Sequence, residues 1–558
     1  MKKSLFLLPL ALMACSHESV KQDNSSLTQE EQAGIEAISV EALTEHVKTL
    51  ASDKFEGRGP GTRGEELTVD YLIKAFKDAG LKPGNGDNYT QAVPLTSVEA
   101  VNKPSLTIQS QSGQDITLDY AKQQVIWTRH QTDSVSIDDS ELVFVGYGIY
   151  APEQNWNDYA NIDVTGKTVV MLVNDPGYAT QDEALFNGNS MTYYGRWDYK
   201  YDEAARQGAA AAIIIHDTKP AAYPWSTVAS SWTGPQFDMV RQNKGDDLAL
   251  VEGWVTKDTA QKLFNQSGLD LEDMYAAAQT RGFKAIPMNL SASATIKNKV
   301  EQLNSQNVVA MIEGTESPDE VFIYMAHWDH LGMDPNLPGD NIYNGALDNA
   351  TGTGGLIELA KAYANLPEPP KRSVVFMAVT AEEQGLLGSA YYAAHPVFPL
   401  EKTVAGLNMD GLNNFGPTHD VTVVGYGMSQ LDDYLAQNAK TQGRVLRPDS
   451  MPQNGYYYRS DHFELAKLGV PMLYPNNGID HKEKGEAYGK QKEAEYTAEH
   501  YHAPSDEYDE SWDLNGAVED LRLYFLTGLD IINSSDWPEW NEGTEFKEAR
   551  EKHLSNTH

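Results

Sequence analysis

The sequence is poor in cysteine and in basic residues. Its one cysteine, Cys15, has no partner for an intramolecular disulfide, so the folded chain depends on its core and on any metal that it binds. Lysine and arginine number 43 against 80 aspartate and glutamate residues, which gives a net charge of −37. A chain this acidic lacks the basic surface that nucleic acid requires. We therefore expect no nucleic-acid partner.

Long apolar runs are also missing, and the longest one is N-terminal. The start, M-K-K-S-L-F-L-L-P-L-A-L-M-A-C, has two lysines before an apolar segment too short to span a bilayer, which is typical of a secretory signal peptide. L-M-A-C resembles the lipobox of bacterial lipoproteins. It implies a signal peptide over residues 1–14, cleavage before Cys15 and lipidation of its sulfur. The alternative is an ordinary signal peptide with an incidental cysteine.

This N-terminus predicts the location of the protein. We expect export across the inner membrane to the bacterial cell envelope, either the outer membrane or the periplasm. Contact with a membrane is expected only through the lipid anchor, since no other 18-residue apolar stretch occurs in the sequence.

The rest of the chain divides into segments of different texture. Residues 15–34 are polar and without periodicity, which predicts a flexible tether. Short alternating runs over 101–297 predict an inserted β-rich module. The flanking segments, 35–100 and 298–545, are predicted to form one domain in which strands alternate with helices, as in an α/β sheet covered on both faces. The glycine-rich stretch F-E-G-R-G-P-G-T-R-G lacks the spacing of a phosphate loop and predicts a structural turn.

Acidic and imidazole side chains follow the predicted strands of the α/β domain. V-F-I-Y-M-A is followed by a histidine, V-V-F-M-A-V-T-A by two glutamates and V-A-G-L-N-M by an aspartate. Each alone has an ordinary explanation, such as a helix N-cap or a solvated turn. Ligands bind at the carboxyl ends of strands in such sheets, and crowded carboxylates need a counter-charge. Asp348 lies just before a predicted helix and His502 lies in a late loop. Together these positions predict a metal site formed by His327, Asp348, Glu382, Glu383, Asp410 and His502.

Five motifs in this order resemble the M28 family of co-catalytic zinc peptidases: H-W-D-H-L-G, N-G-A-L-D-N-A-T-G, A-E-E-Q-G-L-L-G-S, N-M-D-G and Y-H-A-P-S-D. The resemblance covers most of residues 35–100 and 300–530. It implies the zinc exopeptidase fold, a mixed and mostly parallel sheet with helices on both faces. The insert contains V-G-Y-G-I-Y-A-P and A-A-R-Q-G-A-A-A-A-I-I-I, which resemble the protease-associated domain of some members. Its core is expected at about 138–290, and it is expected to bind substrate or protein.

The resemblance also implies a centre with two zinc ions. The implied ligands are His327, Asp348, Glu383, Asp410 and His502. Of these, His327 and Asp410 hold one ion, Glu383 and His502 hold the other, and Asp348 bridges both. Glu382 is left unligated as the general base. Mixed nitrogen and carboxylate ligands suit zinc, and two ions can share and activate one water.

Supporting residues are expected next to these ligands. Asp329, two residues after His327, is expected to accept the other imidazole N–H and fix its tautomer. Asp506 is expected to support His502 in the same way. His330 is interpreted as structural. His500 competes with His502 for the ligand role, but the following A-P-S-D matches the family only from His502.

A tyrosine near the turn S-D-H has two interpretations. In some family members a tyrosine three residues before that serine stabilises the tetrahedral intermediate, and here this residue is Tyr457. The alternative is an aromatic side chain that only shapes the pocket.

The expected function is an exopeptidase, most simply an aminopeptidase acting on peptides. A glutamate-carboxypeptidase-like enzyme of the same fold is an alternative, but it needs cationic side chains that the sequence does not place. The M20 group has a similar ligand order but usually inserts its extra domain after the metal-binding glutamates. A non-catalytic binding protein on the same scaffold is the alternative from another class; such proteins lose ligands, whereas this sequence keeps the full set.

Overall fold

The computed structural model describes residues 27–110 and 115–555. The predicted signal peptide and Cys15 lie outside these residues. The α-helices are α1 (Gln29–Ala37), α2 (Val40–Leu50), α3 (Arg63–Asp78), α4 (Pro176–Thr180), α5 (Trp197–Arg206), α6 (Thr218–Ala221), α7 (Trp225–Ser231), α8 (Lys257–Gln266), α9 (Leu271–Ala278), α10 (Gly352–Ala364), α11 (Leu387–Ala394), α12 (Leu431–Thr441), α13 (His462–Ala466), α14 (Glu486–Glu499), α15 (Asn515–Asn533) and α16 (Lys547–Ser555).

The strands follow the same chain order. They are β1 (Lys82–Pro83), β2 (Thr90–Ala100), β3 (Leu106–Ser110), β4 (Ile116–Leu118), β5 (Gln124–Trp127), β6 (Ser134–Phe144), β7 (Tyr150–Ala151), β8 (Trp156–Asn157), β9 (Thr168–Leu172), β10 (Ala211–His216), β11 (Pro235–Met239), β12 (Val251–Thr256), β13 (Ile286–Ile312), β14 (Ser317–His327), β15 (Gly332–Met333), β16 (Ile342–Tyr343), β17 (Arg372–Val379), β18 (Thr403–Asn408), β19 (Asp420–Val424), β20 (Val445–Pro448) and β21 (Met472–Asn476).

The sheet of the α/β domain has four parallel strands at its centre. Strand β14 pairs in parallel with β17 on one side and β18 on the other, and β21 continues the parallel run beyond β18. Strands β13 and β2 extend the β17 edge with antiparallel pairs, and β19 adds antiparallel to β21. This mixed, mostly parallel α/β sheet confirms the predicted fold class.

Strand β14 shows why both faces of the sheet are covered. Its residues from Val321 to His327 are all buried, and alternate side chains enter different cores. Phe322 and Tyr324 pack with helices α10 and α15 in one cluster, whereas Ile323 and Met325 pack with α11 and α13 in the other. An unbroken apolar strand of this kind is stable only between two layers of helices.

The inserted segment has its own sheet and its own cores. Strands β6, β9, β10 and β12 run parallel in that order, and β5 pairs antiparallel with β12. Two apolar clusters lie on this sheet, one around Phe144 and Phe264, the other around Trp254 and Tyr201.

Strand β13 joins the two parts of the molecule. Its 27 residues run without a break from the insert into the α/β domain. Its first half pairs with β3 and β6, and its second half pairs with β2, beginning where Asn298 faces Ala100. The insert also contributes β11, which pairs along β2. The connection is therefore a continuous β-ribbon.

Part of the predicted tether is a helix. Residues 29–34 were expected to be flexible because they are polar, but α1 begins at Gln29, capped by Thr28. A capping box forms, since the Thr28 side chain accepts from the Glu31 backbone and the Glu31 side chain accepts from the Thr28 backbone. Gly34 lies against Phe525 of α15, which docks the helix. The prediction is wrong here because it overlooked the signal T-x-x-E.

None of the helices in the described residues combines the length and the apolar character needed to cross a bilayer.

Candidate metal centre

The centre lies where the parallel strands end. His327 is the last residue of β14, Glu383 follows β17, and Asp410 follows β18. Asp348 lies in the turn that precedes α10, and His502 follows α14 with a left-handed φ of 55°. The structure thus brings all five predicted ligands to one edge of the sheet.

Asp348 lies between two histidines and offers one oxygen to each. Its Oδ1 is 3.2 Å from His327 Nε2, and its Oδ2 is 3.2 Å from His502 Nε2. His327 Nε2 is also 3.1 Å from Asp410 Oδ1, and His502 Nε2 is 3.0 Å from Glu383 Oε2. The donors therefore form two sets that share Asp348, as expected for a bridging carboxylate.

The spacing of these donor atoms suits zinc. Ligand atoms about 2.0–2.2 Å from a tetrahedral ion lie roughly 3.3 Å from one another, close to the distances within both sets. His502 has the most open side chain, 37% exposed, against 19% or less for the other four. A substrate can therefore approach from the side of His502.

The charges of the cluster also fit a cation. Burial opposes ionisation of Asp348, but its contacts with His327 and His502 hold the pKa of that carboxyl well below its ordinary value. Burial disfavours the charged form of His502, yet the Glu383 and Asp348 carboxylates raise its pKa to about 10. Without a metal ion, the protonated imidazoles balance the charge of the carboxylates. A divalent cation would supply that positive charge and leave the imidazoles neutral, as metal ligands must be.

Glu382 differs from its neighbour Glu383. The Glu383 carboxylate is held on both sides, since its Oε1 accepts from His330 Nδ1 at 2.5 Å and its Oε2 faces His502. Among the described residues the Glu382 carboxylate makes no hydrogen bond or ion pair. One of its oxygens lies within 4.8 Å of donor atoms of His327 and Asp410. It is thus close to the candidate ion site and free to contact another group.

Comparison with known proteins identifies this part of the chain. Residues 307–526 match the model of peptidase family M28. This segment is therefore similar to the peptidase domains of that family. A solved aminopeptidase from Aneurinibacillus sp. strain AM-1 has the same fold, with a TM-score of 0.50 and 19% identity over 92% of this chain and 100% of that one.

Curated relatives align over parts of their length. Aminopeptidase NAALADL1 of Rattus norvegicus is 30% identical over 28% of this chain and 21% of that protein. A probable zinc metalloprotease of Pyrenophora tritici-repentis is 28% identical over 37% of this chain and 48% of that protein. A glutamate carboxypeptidase 2 homolog of Caenorhabditis briggsae is 24% identical over 86% of this chain and 66% of that protein. The chain thus spans less than two thirds of each of these relatives.

The Asp329 carboxylate has different hydrogen-bond partners from the predicted one. His327 Nδ1 donates to the backbone carbonyl of Asp329 at 3.2 Å, whereas the Asp329 carboxylate lies 3.8 Å away. That carboxylate accepts from the backbone N–H groups of Glu382 at 3.1 Å and Glu383 at 3.4 Å. The prediction named the Asp329 carboxylate, but the group that accepts from His327 is the Asp329 backbone carbonyl. The carboxylate is occupied by the two backbone N–H groups.

Asp506 holds a loop and not the histidine. Its carboxylate accepts from the backbone N–H groups of Leu347 at 3.0 Å and Asp348 at 3.1 Å, and from the Tyr496 hydroxyl at 3.2 Å. Support of His502 was expected, and the structure shows support of the bridging Asp348. A buried backbone N–H group without an acceptor is costly, and the Asp506 carboxylate accepts from two of them.

Tyr457 is placed in the core by the structure. Its ring packs with Phe546 and His462, and its hydroxyl lies 3.5 Å from the Met472 carbonyl. The expected role in stabilising an intermediate is therefore not supported by its position.

Two other tyrosines contact the ligands. Tyr474 Oη is 3.5 Å from Asp410 Oδ2, and Tyr501 stacks on His502 at 3.9 Å.

Sequence reasoning overlooked these tyrosines, and it interpreted His330 as structural without predicting its contact with Glu383. Tyr501 could have been noticed because it directly precedes a ligand, and His330 because it lies in the same turn as His327. Tyr474 gave no such signal, since it lies within an ordinary strand.

Arg58 ties the ligand loops together from within. This fully buried side chain donates to the backbone carbonyls of Trp328 at 2.9 Å, Asn344 at 2.6 Å, Gly345 at 2.7 Å and Leu50 at 2.8 Å. Burial lowers its pKa to about 10, against the opposing effect of nearby carboxylates. The glycine-rich stretch is a structural turn as predicted, and its arginine links the His327 and Asp348 loops.

Proposed function

We propose that this protein is a di-zinc exopeptidase that removes N-terminal residues from peptides. The observation that carries the proposal is Asp348, whose two oxygens face two separate sets of donors. Such sharing suits two ions about 3.5–4 Å apart. The names of the relatives, which include aminopeptidases and a zinc metalloprotease, agree with it.

The ligands would be His327 and Asp410 for one ion, Glu383 and His502 for the other, and Asp348 for both. Zinc bound there would polarise the scissile carbonyl and lower the pKa of the attacking water. The Glu382 carboxylate accepts a proton from that water and delivers it to the leaving amine nitrogen. Adjacent side chains diverge from the backbone, so Glu383 can bind metal while Glu382 faces the substrate.

The charge of the site favours a free α-amino group. With zinc bound, Asp348, Glu383 and Asp410 would serve as ligands, which leaves the Glu382 carboxylate to attract a substrate ammonium. Blocking the amine by acetylation leaves this charge without its partner.

Arg459 favours a second candidate, a carboxypeptidase. It is half-buried, directly precedes the S-D-H turn and interacts electrostatically with Tyr501, which stacks on His502. Among the described residues no carboxylate lies within ion-pairing distance of its guanidinium, although acidic residues outnumber basic ones in the sequence. A substrate carboxylate is a suitable partner, so Arg459 would be the cationic side chain that a carboxypeptidase needs.

Blocked peptides separate the two candidates. We expect acetylation of a leucine-containing dipeptide to lower kcat/KM at least about 10²-fold, because an unpaired buried charge costs several kcal/mol and each 1.36 kcal/mol is tenfold. Amidation of its C-terminus should have a smaller effect. A larger loss of kcat/KM on amidation than on acetylation would identify a carboxypeptidase. Cleavage of both blocked forms within the chain would exclude an exopeptidase. Zinc binding without hydrolysis of any peptide would indicate the non-catalytic alternative.

We also propose export and lipid anchoring at Cys15. The supporting observation is the lipobox-like L-M-A-C after a short apolar segment. Cys15→Ser is expected to abolish lipidation and block normal processing, while the wild type partitions with membranes. Labelling with a radioactive fatty acid and membrane fractionation measure both. Wild-type protein that is soluble and cleaved elsewhere would contradict the anchor.

A further inference from the structure

The turn S-D-H, residues 460–462, is buried against the metal centre but supplies none of its ligands. We propose that these three residues form a positioning turn that fixes three elements of the centre. This inference rests on the proposed function, because it concerns how the same site is held in its working geometry. Each residue of the turn contacts a different element.

Ser460 fixes the strand that leads to Asp410. Its hydroxyl accepts from Asn408 Nδ2 at 2.7 Å. Asn408 is the last residue of β18 and lies two residues before the ligand. Both side chains are fully buried, so this hydrogen bond sets where the strand ends relative to the turn.

Asp461 fixes the element that carries Glu382 and Glu383. Its Oδ1 accepts from the Ser389 hydroxyl at 2.6 Å, and Ser389 lies in α11, directly after the turn of the two glutamates. Its Oδ2 is buried and has no hydrogen-bond partner among the described residues. Burying a carboxylate with one partner is unfavourable, which indicates that the contact with Ser389 has a purpose beyond stability.

His462 fixes the tyrosine beside Asp410. Its ring lies between Tyr457 at 4.5 Å and Tyr474 at 4.6 Å. The hydroxyl of Tyr474 is 3.5 Å from Asp410 Oδ2. Packing by His462 therefore holds Tyr474 near Asp410 Oδ2, whereas His327 contacts Oδ1.

The insert supports this turn from outside. Tyr193 of the insert packs against Phe463, the residue after the turn, with ring centroids 5.1 Å apart. Glu545 Oε1 accepts both from the Tyr458 hydroxyl at 2.8 Å and from the Tyr193 backbone at 3.4 Å. The insert thus contacts residues next to the turn.

Substitutions at the link between Asp461 and Ser389 test the proposal. Asp461→Ala and Ser389→Ala should each lower kcat about 10–100-fold at saturating zinc, the usual effect of losing a group that orients a metal site, with KM within about threefold. Asp461→Asn should recover most of kcat, since its amide oxygen accepts the same hydrogen bond. The double variant should be no worse than either single variant, because both remove one contact.

Ser373→Ala is the matched control. Ser373 is equally buried and its hydroxyl donates to the Pro318 carbonyl at 2.7 Å, but it lies at the start of β17, at the opposite end of the sheet. It should leave kcat unchanged. A similar loss in Ser373→Ala, or kcat within twofold of wild type in both alanine variants of the link, would overturn the positioning role.

Zinc affinity provides a readout that does not need activity. Competition with a chelator should show zinc bound 10–100-fold more weakly by Ser389→Ala than by Ser373→Ala. A wild-type protein that binds zinc but hydrolyses no peptide would refute the proposed function alone. Equal zinc affinities of the two serine variants, in an otherwise active enzyme with unchanged kcat, would refute the positioning turn alone.

Discussion

Glu382→Gln is expected to lower kcat by roughly 10²–10⁴, the usual contribution of general acid–base catalysis, while the protein keeps its metal. The amide has nearly the same shape but cannot accept the proton. The Glu382 carboxylate has no hydrogen bond or ion pair among the described residues, so its replacement should leave the melting temperature near that of the wild type. Steady-state kinetics and metal analysis of purified protein measure both effects.

Glu383→Gln is the control for this prediction. The Glu383 carboxylate is bound by His330 on one side and faces His502 on the other, so its replacement should weaken metal binding as well as activity. Loss of metal in Glu382→Gln with normal metal content in Glu383→Gln would reverse the two assignments. That outcome would make Glu382, which lies close to His327 and Asp410, a ligand.

Arg58→Met is expected to destabilise the protein by at least about 3 kcal/mol. Methionine fills part of the space but donates no hydrogen bond, so four buried carbonyls would lose their partner, at a cost of about 1–3 kcal/mol for each group left unsatisfied. Two of these carbonyls lie in the loop before Asp348 and one follows His327, so zinc binding should weaken too. Denaturant unfolding in excess chelator and in excess zinc separates the two effects.

The same stretch of sequence offers a control. Arg63 lies five residues further on, is 67% exposed and has a weak contact of 3.9 Å with Glu56. Arg63→Met should change the free energy of unfolding by no more than about 0.5 kcal/mol, as for other exposed positions. If Arg58→Met were as stable as Arg63→Met, Arg58 would not be the link between the ligand loops.

The ligands could be predicted because they follow apolar strands. The runs that end at His327 and before Asp410 are short, unbroken and apolar, so their carboxyl ends can be located in the sequence. Parallel strands then place these ends at one edge of the sheet. The run before Glu382 and Glu383 is of the same kind, whereas the ligand roles of Asp348 and His502 rest on the resemblance of the motifs around them.

The supporting contacts could not be predicted because they join distant segments through backbone groups. Arg58 donates to carbonyls that lie 270 to 287 residues further along the chain, and a backbone carbonyl leaves no mark in the sequence. Asp506 likewise binds backbone N–H groups of the Asp348 loop. The position of Tyr457 depends on how a loop packs against Phe546, which motif spacing does not determine.

Because β13 is continuous, it determines the order in which the two parts of the molecule can fold. Strand β2 is made early, but its partner in the sheet, residues 298–308, emerges only after the whole insert. At 5–20 residues per second the ribosome needs roughly 10–40 s to make the intervening segment, and the two strands emerge in the same order from an export channel. The insert completes its own sheet once the first half of β13 has emerged, so it is expected to fold before the domain that surrounds it. The nascent chain therefore exposes the apolar faces of α2 and α3 throughout this interval, which makes the N-terminal segment the part most dependent on chaperones.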